Sequence, residues 1–352
     1  MTARSIALSF VVLLTLATSM VLAQQVAVSD KVVNADRYPE VRVNFPGGVT
    51  SIPKQTFYSP SGRAVWLDLY LPPQYRTTAS PFVVYMHGGG WSGGTARTTG
   101  TFEDWPSVLA SLSAKGYVVA SVDYRLSGEA KFPAAIQDIK AAIRWLRTNA
   151  TTYGVDKGRG LVWGPSAGGH LAALAAVSCG AAELEPVVAG QRGGAAAASP
   201  TPLESDCVQA AVGWYGIYDL KVDRARQAAP AAAANPNQGE SGLGRFLGCN
   251  PSSCPEAVLN AANPVHYVDP SDPPMLIIHG DADRTASPEH AKILHELLKS
   301  KGVRVELMML PKIGHSWIGE THEATINASR TALAKTFEFI DATIGAGRPR
   351  RP

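Results

Sequence analysis

The stretch Leu161–Val177, LVWGPSAGGHLAALAAV, decides how this chain is read. An apolar run stops at Gly164, Pro165 and Ser166 follow, and beyond Gly168 and Gly169 comes a run with Leu171, Leu174, Ala175 and Val177 at helical spacing. Strand, tight turn and helix in direct succession have a mechanical meaning. The turn leaves no room for a Cβ on either side of its centre, so glycines flank it, and the helix aims its first N–H groups back at the central side chain. Ser166 is therefore a candidate nucleophile. The Gly-x-Ser-x-Gly pattern alone carries little, because Gly90-Trp91-Ser92-Gly93-Gly94 fits it too. Ser92 lies several residues past its strand, however, and the TARTTGT that follows does not start a helix, so context selects Ser166.

Working outward, short apolar runs alternate with longer amphipathic ones. The runs at 64–71, 81–87, 117–124, 160–164, 208–216, 274–280 and 304–310 are compact and often rich in Val and Ile. The first alternates with period two in part and is expected to be antiparallel; the others fit strands buried on both faces of a parallel sheet. Between them, 133–154 carries Ile136, Ile139, Ile143 and Leu146 along one stripe, 288–302 opens near Pro288 and closes on Gly302, and 324–344 forms the last helix. The expected class is α/β, a mostly parallel sheet with helices on both faces, and its sites gather beyond the carboxyl ends of the strands.

A serine hydroxyl needs a base, and in this architecture the partners follow in the order serine, acid, histidine. Of the eight histidines, His87 and His170 fall too early. His279 ends a strand ahead of the acid, His290 and His295 lie within a helix, and His266 precedes a Pro/Asp loop. His315, in KIGHSW between the last strand and the last helix, is the expected base, with His322 in reserve. LIIHGDADRTAS offers Asp281 and Asp283 as the acid; Asp281 is equally suited to bracing the turn, and Asp219 is more distant. MHGGGW ends a buried strand in glycines, and Gly88 and Gly89 with the N–H of Ala167 are the expected oxyanion donors. Trp91, Trp214 and Tyr215 fall at strand ends on one side and are expected to line a substrate pocket. Asp123 and Arg125 are expected to brace the neighbouring loops.

The chain has 352 residues, 45% hydrophobic and 17% charged, with a formal charge of +3. That charge is too small and too dispersed to call for nucleic acid. At the start, Arg4, the apolar run 6–21 and Ala23 before Gln24 form the pattern of a cleaved export signal over residues 1–23, with a membrane anchor as the alternative. Cleavage would leave the protein secreted or periplasmic and away from the membrane. Residues 24–50 read as irregular, 51–345 as the folded domain and 346–352 as a tail. In an oxidising compartment the four cysteines are expected to pair Cys179 with Cys207, closing the small-residue insertion 180–206, and Cys249 with Cys254 around the turn NPSS. A loop the length of that insertion is worth about 3–4 kcal/mol in the chain-entropy account. The cysteine spacing does not suggest zinc, and no metal or other cofactor is expected.

HGGGW, DYRL with FPAAIQDIKAAIRWLR, YGVD, GPSAGGHLAAL, DPPMLIIHGDAD and GHSW stand in one order and spacing over roughly 54–342. Together they resemble the α/β-hydrolase superfamily, and within it the bacterial feruloyl/acetyl-xylan esterase group, near the hormone-sensitive-lipase-like esterases. The resemblance implies about eight strands, a Ser–His–Asp triad with Asp283 as the acid, and a secreted serine carboxylesterase. Its implied substrates are small-molecule or polysaccharide-linked esters, with acetyl or feruloyl esters of plant cell wall foremost. A prolyl-oligopeptidase-type peptidase and a non-catalytic binding protein on the same fold are the alternatives. Pro165 departs from the acidic or polar residue common before the serine, and the 180–206 insertion is long; both bear on substrate choice.

Overall fold

The structure, a computed structural model, describes residues 27–29, 44–186, 204–222 and 242–345. The expected export signal, most of the 24–50 segment, the middle of the 180–206 insertion and the 346–352 tail lie outside the described residues. Nine strands form one sheet: β1 (Asn44–Phe45), β2 (Val49–Tyr58), β3 (Val65–Leu71), β4 (Ser80–Met86), β5 (Val118–Asp123), β6 (Val155–Pro165), β7 (Ala210–Trp214), β8 (Met275–Gly280) and β9 (Val305–Leu310). Their order is β1-β2-β3-β5-β4-β6-β7-β8-β9. The pairings from β5 to β9 are parallel, and β1, β2 and β3 join antiparallel at one edge. This is the α/β-hydrolase architecture.

Period two explains why the central strands read as unbroken apolar runs. Along β4, Phe82, Val84 and Met86 enter one core while Val83 and Tyr85 enter the other. The first core is covered by helices Ala134–Thr148, Ala167–Val177 and Glu289–Ser300; the second by Trp105–Ser113 and His322–Ile344. With water excluded from both faces, no position along such a strand favours a polar side chain. Ile136, Ile139, Ile143 and Leu146 are fully buried, as their stripe requires.

Several elements carry no clear sequence signal, among them β1, β2, helix Trp105–Ser113 and the short helices Gly242–Leu247, Glu256–Ala261 and Pro264–Tyr267. β2 begins at Val49 inside the segment read as irregular; its burial is intermittent and its register shifts between Ile52 and Gln55, so no clean alternation marks it. Helix Trp105–Ser113 also went unread, although Asp104 caps it by accepting from the Ser107 N–H at 3.0 Å. The last helix starts at His322 rather than 324, because Thr321 caps it through the Ala324 N–H at 3.1 Å. Arg125 braces a different partner from the one expected: its guanidinium reaches Asp138 of helix Ala134–Thr148 at 2.7 Å.

Both disulfides pair as expected, Cys179 with Cys207 and Cys249 with Cys254. The described ends of the insertion are also held by charge. Lys140 reaches Asp206, Arg144 reaches Glu185 and Asp206, and Arg147 donates to the Ser205 and Cys207 carbonyls at 2.6 Å each. Among the described residues no helix is long and apolar enough to cross a membrane.

The strand order reverses around β4, which lies between β5 and β6, so the loops after β4 and β6 open onto the same crevice. The loop after β4 is tied to the sheet by a buried pair: Arg97 Nε donates to Asp68 Oδ2 of β3 at 2.6 Å, with both side chains under 5% exposed. Replacing Asp68 by Ala strands the Arg97 guanidinium in the interior without this carboxylate. A loss of about 3–5 kcal/mol in unfolding free energy is expected, read from urea denaturation of D68A beside the wild type.

Candidate active site

β6 ends at Pro165, helix Ala167–Val177 begins one residue after Ser166, and Ser166 itself sits at φ +53°, ψ −120°. A non-glycine residue there is strained by about 1–3 kcal/mol and persists only when its surroundings hold it. Two backbone bonds do so: the Ser166 N–H donates to the Trp214 carbonyl of β7 at 2.8 Å, and the His170 N–H donates to the Ser166 carbonyl at 2.9 Å. The first bond also accounts for Pro165. Successive N–H groups of a strand point to opposite sides, so the β6–β7 pairing passes through Ser166 and loses nothing at the proline. The turn packs against the end of β4 so closely that a Cβ on Gly168 would lie 2.1 Å from the Met86 carbonyl oxygen.

The loop after β4 lies directly over the serine. A Cβ built on Gly88 would stand 3.3 Å from that of Ser166. Gly89 adopts φ +111°, and a Cβ there would meet the Gly93 carbonyl at 2.2 Å, so the loop curls back on itself only with glycine at this position. Neither the Gly88 nor the Gly89 N–H donates to an acceptor among the described residues.

His315 leads a short 3-10 turn, His315–Trp317, after β9. Its Nε2 lies 3.0 Å from Ser166 Oγ, and its Nδ1 lies 2.7 Å from Asp283 Oδ2. Asp283 Oδ1 accepts from the N–H groups of Thr285 and Ala286 at 2.8 and 3.0 Å. Burial pushes the Asp283 carboxyl up, but hydrogen bonds from His279 and His315 outweigh it and hold the group well below the usual carboxylate range. A carboxylate facing Nδ1 sets the imidazole as its Nδ1–H tautomer, leaving Nε2 free to accept the serine proton. The alternatives sort out by contact. Asp281 accepts the Lys312 N–H at 2.6 Å and braces the turn, and Asp219 accepts from Asn263 Nδ2 at 3.0 Å. His322 opens the last helix, and Ser92 is exposed on the surface of its loop.

Ser166, His315, Gly88, Gly89 and Tyr215 line one cleft of about 410 Å³. Of the three aromatics expected there, Tyr215 alone lines it, its ring edge-on to His315 at 4.7 Å between centroids. Trp91 and Trp214 are buried behind the wall. Trp91 donates its indole N–H to His170 Nδ1 at 3.2 Å and stacks on Phe246, fastening the glycine loop to the helix that follows Ser166. Trp214 donates to Thr336 Oγ1 at 2.8 Å and packs against Trp163 and Trp317. Position near a strand end did not separate them: Trp91 lies in the loop after β4, Trp214 closes β7, and Tyr215, at φ +34°, has already left the strand conformation. The cleft is lined as well by Thr98, Thr99 and Gly100, from the stretch that starts no helix, together with Thr285 and Ser316. Hydroxyls clustered beside glycines were the available signal. Among the described residues no group of three or more His, Cys, Asp or Glu side chains is placed to hold a metal ion.

A mostly parallel sheet with a serine on a strand–turn–helix elbow, a histidine after the last strand and an aspartate between them defines an α/β-hydrolase. The BD-FAE family matches residues 67–298, and the chain belongs to that family. It is 31% identical to "Esterase LipC" of Mycobacterium tuberculosis over 254 residues, 71% of this chain and 56% of LipC. The chain spans about half the length of the curated relatives it matches. Among solved structures it resembles a truncated carbohydrate esterase from gut microbiota, with TM-score 0.64 and 27% identity over 83% of this chain and 95% of the other. It also resembles a bifunctional GH43-CE protein of Bacteroides eggerthii, with TM-score 0.62 and 30% identity over 79% of this chain and 33% of the other.

His87, just ahead of the glycines, has its Nδ1 2.7 Å from the Gly88 carbonyl and stacks on Tyr124, while its Nε2 is buried without a partner. Burial lowers its pKa from 6.5 to about 4, against the smaller opposing effect of the Gly88 carbonyl. Above pH 6.5 the ring is neutral folded or unfolded. As pH falls from 6.5 to 4 only the unfolded chain takes the proton, so stability falls with it. The expected loss is about 3 kcal/mol. Unfolding free energies measured across this window are expected to slope less steeply in His87→Phe, which keeps the ring stack and removes the titration.

Proposed function

We propose that the chain is a serine carboxylesterase in which Ser166, His315 and Asp283 form the catalytic triad. The observation that carries this is the continuous relay Ser166 Oγ, His315 Nε2, His315 Nδ1, Asp283 Oδ2, with spacings of 3.0 Å between Ser166 and His315 and 2.7 Å between His315 and Asp283. His315 takes the hydroxyl proton as Ser166 Oγ attacks the ester carbonyl. The carbonyl oxygen becomes an oxyanion facing the N–H groups of Gly88, Gly89 and Ala167 at the N-terminus of the helix. The tetrahedral intermediate collapses, the C–O bond to the alcohol breaks, and His315 returns its proton to the departing oxygen. Water then gives a proton to His315 and attacks the acyl-enzyme, the second intermediate expels Ser166 Oγ, which takes that proton back from His315, and the acid leaves. Asp283 stays ionised throughout, holding the imidazole and stabilising its charged form.

The similarity to proteins named as esterases supports ester over amide substrates. The similarity to a carbohydrate esterase supports polysaccharide-linked esters, with acetyl or feruloyl groups of plant cell wall as the candidates. The two disulfides and the apolar N-terminal run support a secreted or periplasmic location after removal of residues 1–23.

Ser166→Ala is expected to abolish both turnover of p-nitrophenyl acetate and covalent labelling by a fluorophosphonate, while Ser92→Ala retains both. Asp283→Asn is expected to lower kcat by about 10³–10⁴-fold. In the wild type kcat/KM is expected to fall on the acid side, as general-base catalysis requires; a flat profile from about pH 4 to about pH 8 contradicts that role. A wild type that takes no fluorophosphonate label overturns the esterase reading.

A further inference from the structure

His279 is fully buried at the end of β8, four residues ahead of Asp283, and ordering along the chain gives it no part in the triad. Its Nε2 nevertheless lies 3.1 Å from the Ala286 carbonyl and 3.3 Å from Asp283 Oδ2. That oxygen is the one facing His315 Nδ1. The tautomer follows from the surroundings. Nε2 faces two oxygens that only accept, so a lone pair there would be repelled by both. Nδ1 is buried without a partner, so a proton there would be an orphaned donor, the costlier of the two vacancies. The proton therefore sits on Nε2 and is shared between the Ala286 carbonyl and the carboxylate.

We propose that His279 is a positioning residue for the relay: by donating to the Asp283 oxygen that faces His315, it fixes the carboxylate and limits how strongly that carboxylate attracts the His315 proton. The proposal rests on the esterase reading above. An Asp283 carboxylate with one acceptor bond fewer is more basic, holds the imidazolium more tightly, and leaves the base protonated to higher pH. The other groups around the carboxylate leave His279 this role. Thr285 and Ala286 donate to Oδ1, and Tyr215, whose phenol is pushed up chiefly by burial, presents its ring to His315. Among the ionisable neighbours, His279 and His315 are the two whose side chains hydrogen-bond to the carboxylate.

The test uses the full chain and p-nitrophenyl acetate, with kcat/KM followed against pH for wild type, His279→Met and His279→Gln. Met removes the donor at similar length, and Gln places an amide N–H near the Nε2 position. In H279M the midpoint of the acid limb is expected to rise by about half to one pH unit, with kcat reduced about tenfold and KM little changed; H279Q returns the midpoint to the wild-type value. A folded H279M with the wild-type midpoint overturns the proposal, and so does H279Q behaving as H279M. If H279M does not fold, His279→Asn, whose amide stops short of the Nε2 position, carries the same expectation. Fluorophosphonate labelling of the wild type separates the two failures. Labelled, active wild type with an unmoved limb in the variants removes the role of His279 alone. Should wild type take no label, the esterase reading fails, and the low-field Nδ1 proton resonance of His315 decides the contact: it moves in H279M and returns in H279Q if His279 sets that hydrogen bond, and stays in place in both if it does not.

Discussion

Everything in the site depends on how closely the backbone of the Ser166 turn approaches the end of β4. The Met86 carbonyl lies where a Cβ on Gly168 would be, so strand end and helix start meet with no side chain between them. That contact brings Gly88 against Ser166 and brings the helix N-terminus to the mouth of the crevice. A single methyl group would separate β4 from the turn, and with it the two sources of N–H groups from the serine they surround. The strain at Ser166 is maintained by this packing and by its backbone bonds to β7 and to His170.

Around that contact, buried aromatic and charged groups act as braces. Trp91 ties the glycine loop to the helix after Ser166, Trp214 supports Trp317 beside His315, and Asp68 holds Arg97 farther along the same loop. Each brace connects segments distant in sequence, and each is shielded from water, where a hydrogen bond or ion pair tolerates little misplacement. The electrostatics follow the same logic. Asp283 is buried, which alone would favour its neutral form, yet histidines on either side and two backbone N–H groups keep it ionised. A buried carboxylate so surrounded is rigid in place and constant in charge, as the proposed relay requires.

The 180–206 insertion shows a different use of the same forces. A disulfide closes its base, and Lys140, Arg144 and Arg147 grip its two described ends from one helix. All three cations lie on the helix whose apolar stripe is the clearest in the sequence, on turns adjoining that stripe. One helix therefore both covers the sheet and anchors the insertion.

Local chemistry in the sequence was enough for the strands from β3 to β9, the stripe of Ile136, Ile139, Ile143 and Leu146, the disulfide pairs, and the strand–turn–helix step around Ser166. Each is written in neighbouring residues through periodicity, turn chemistry or spacing. Chain order narrowed the candidate base to His315, which the structure brings within hydrogen-bond distance of Ser166 and Asp283. What chain order could not decide was direction and company. Trp91 lies in the loop after β4, and Trp214 and Tyr215 are adjacent at the end of β7, yet of the three Tyr215 alone lines the cleft. Asp281 and Asp283 are two residues apart, and the difference between bracing a turn and meeting an imidazole is set by which side of the loop each faces. His279 carried no signal of contact with Asp283, because that contact exists only once the loop after β8 folds back over the strand. Periodicity is a property of a segment and survives in the sequence; the meeting of side chains across segments is a property of the fold, and only the tertiary structure decides it.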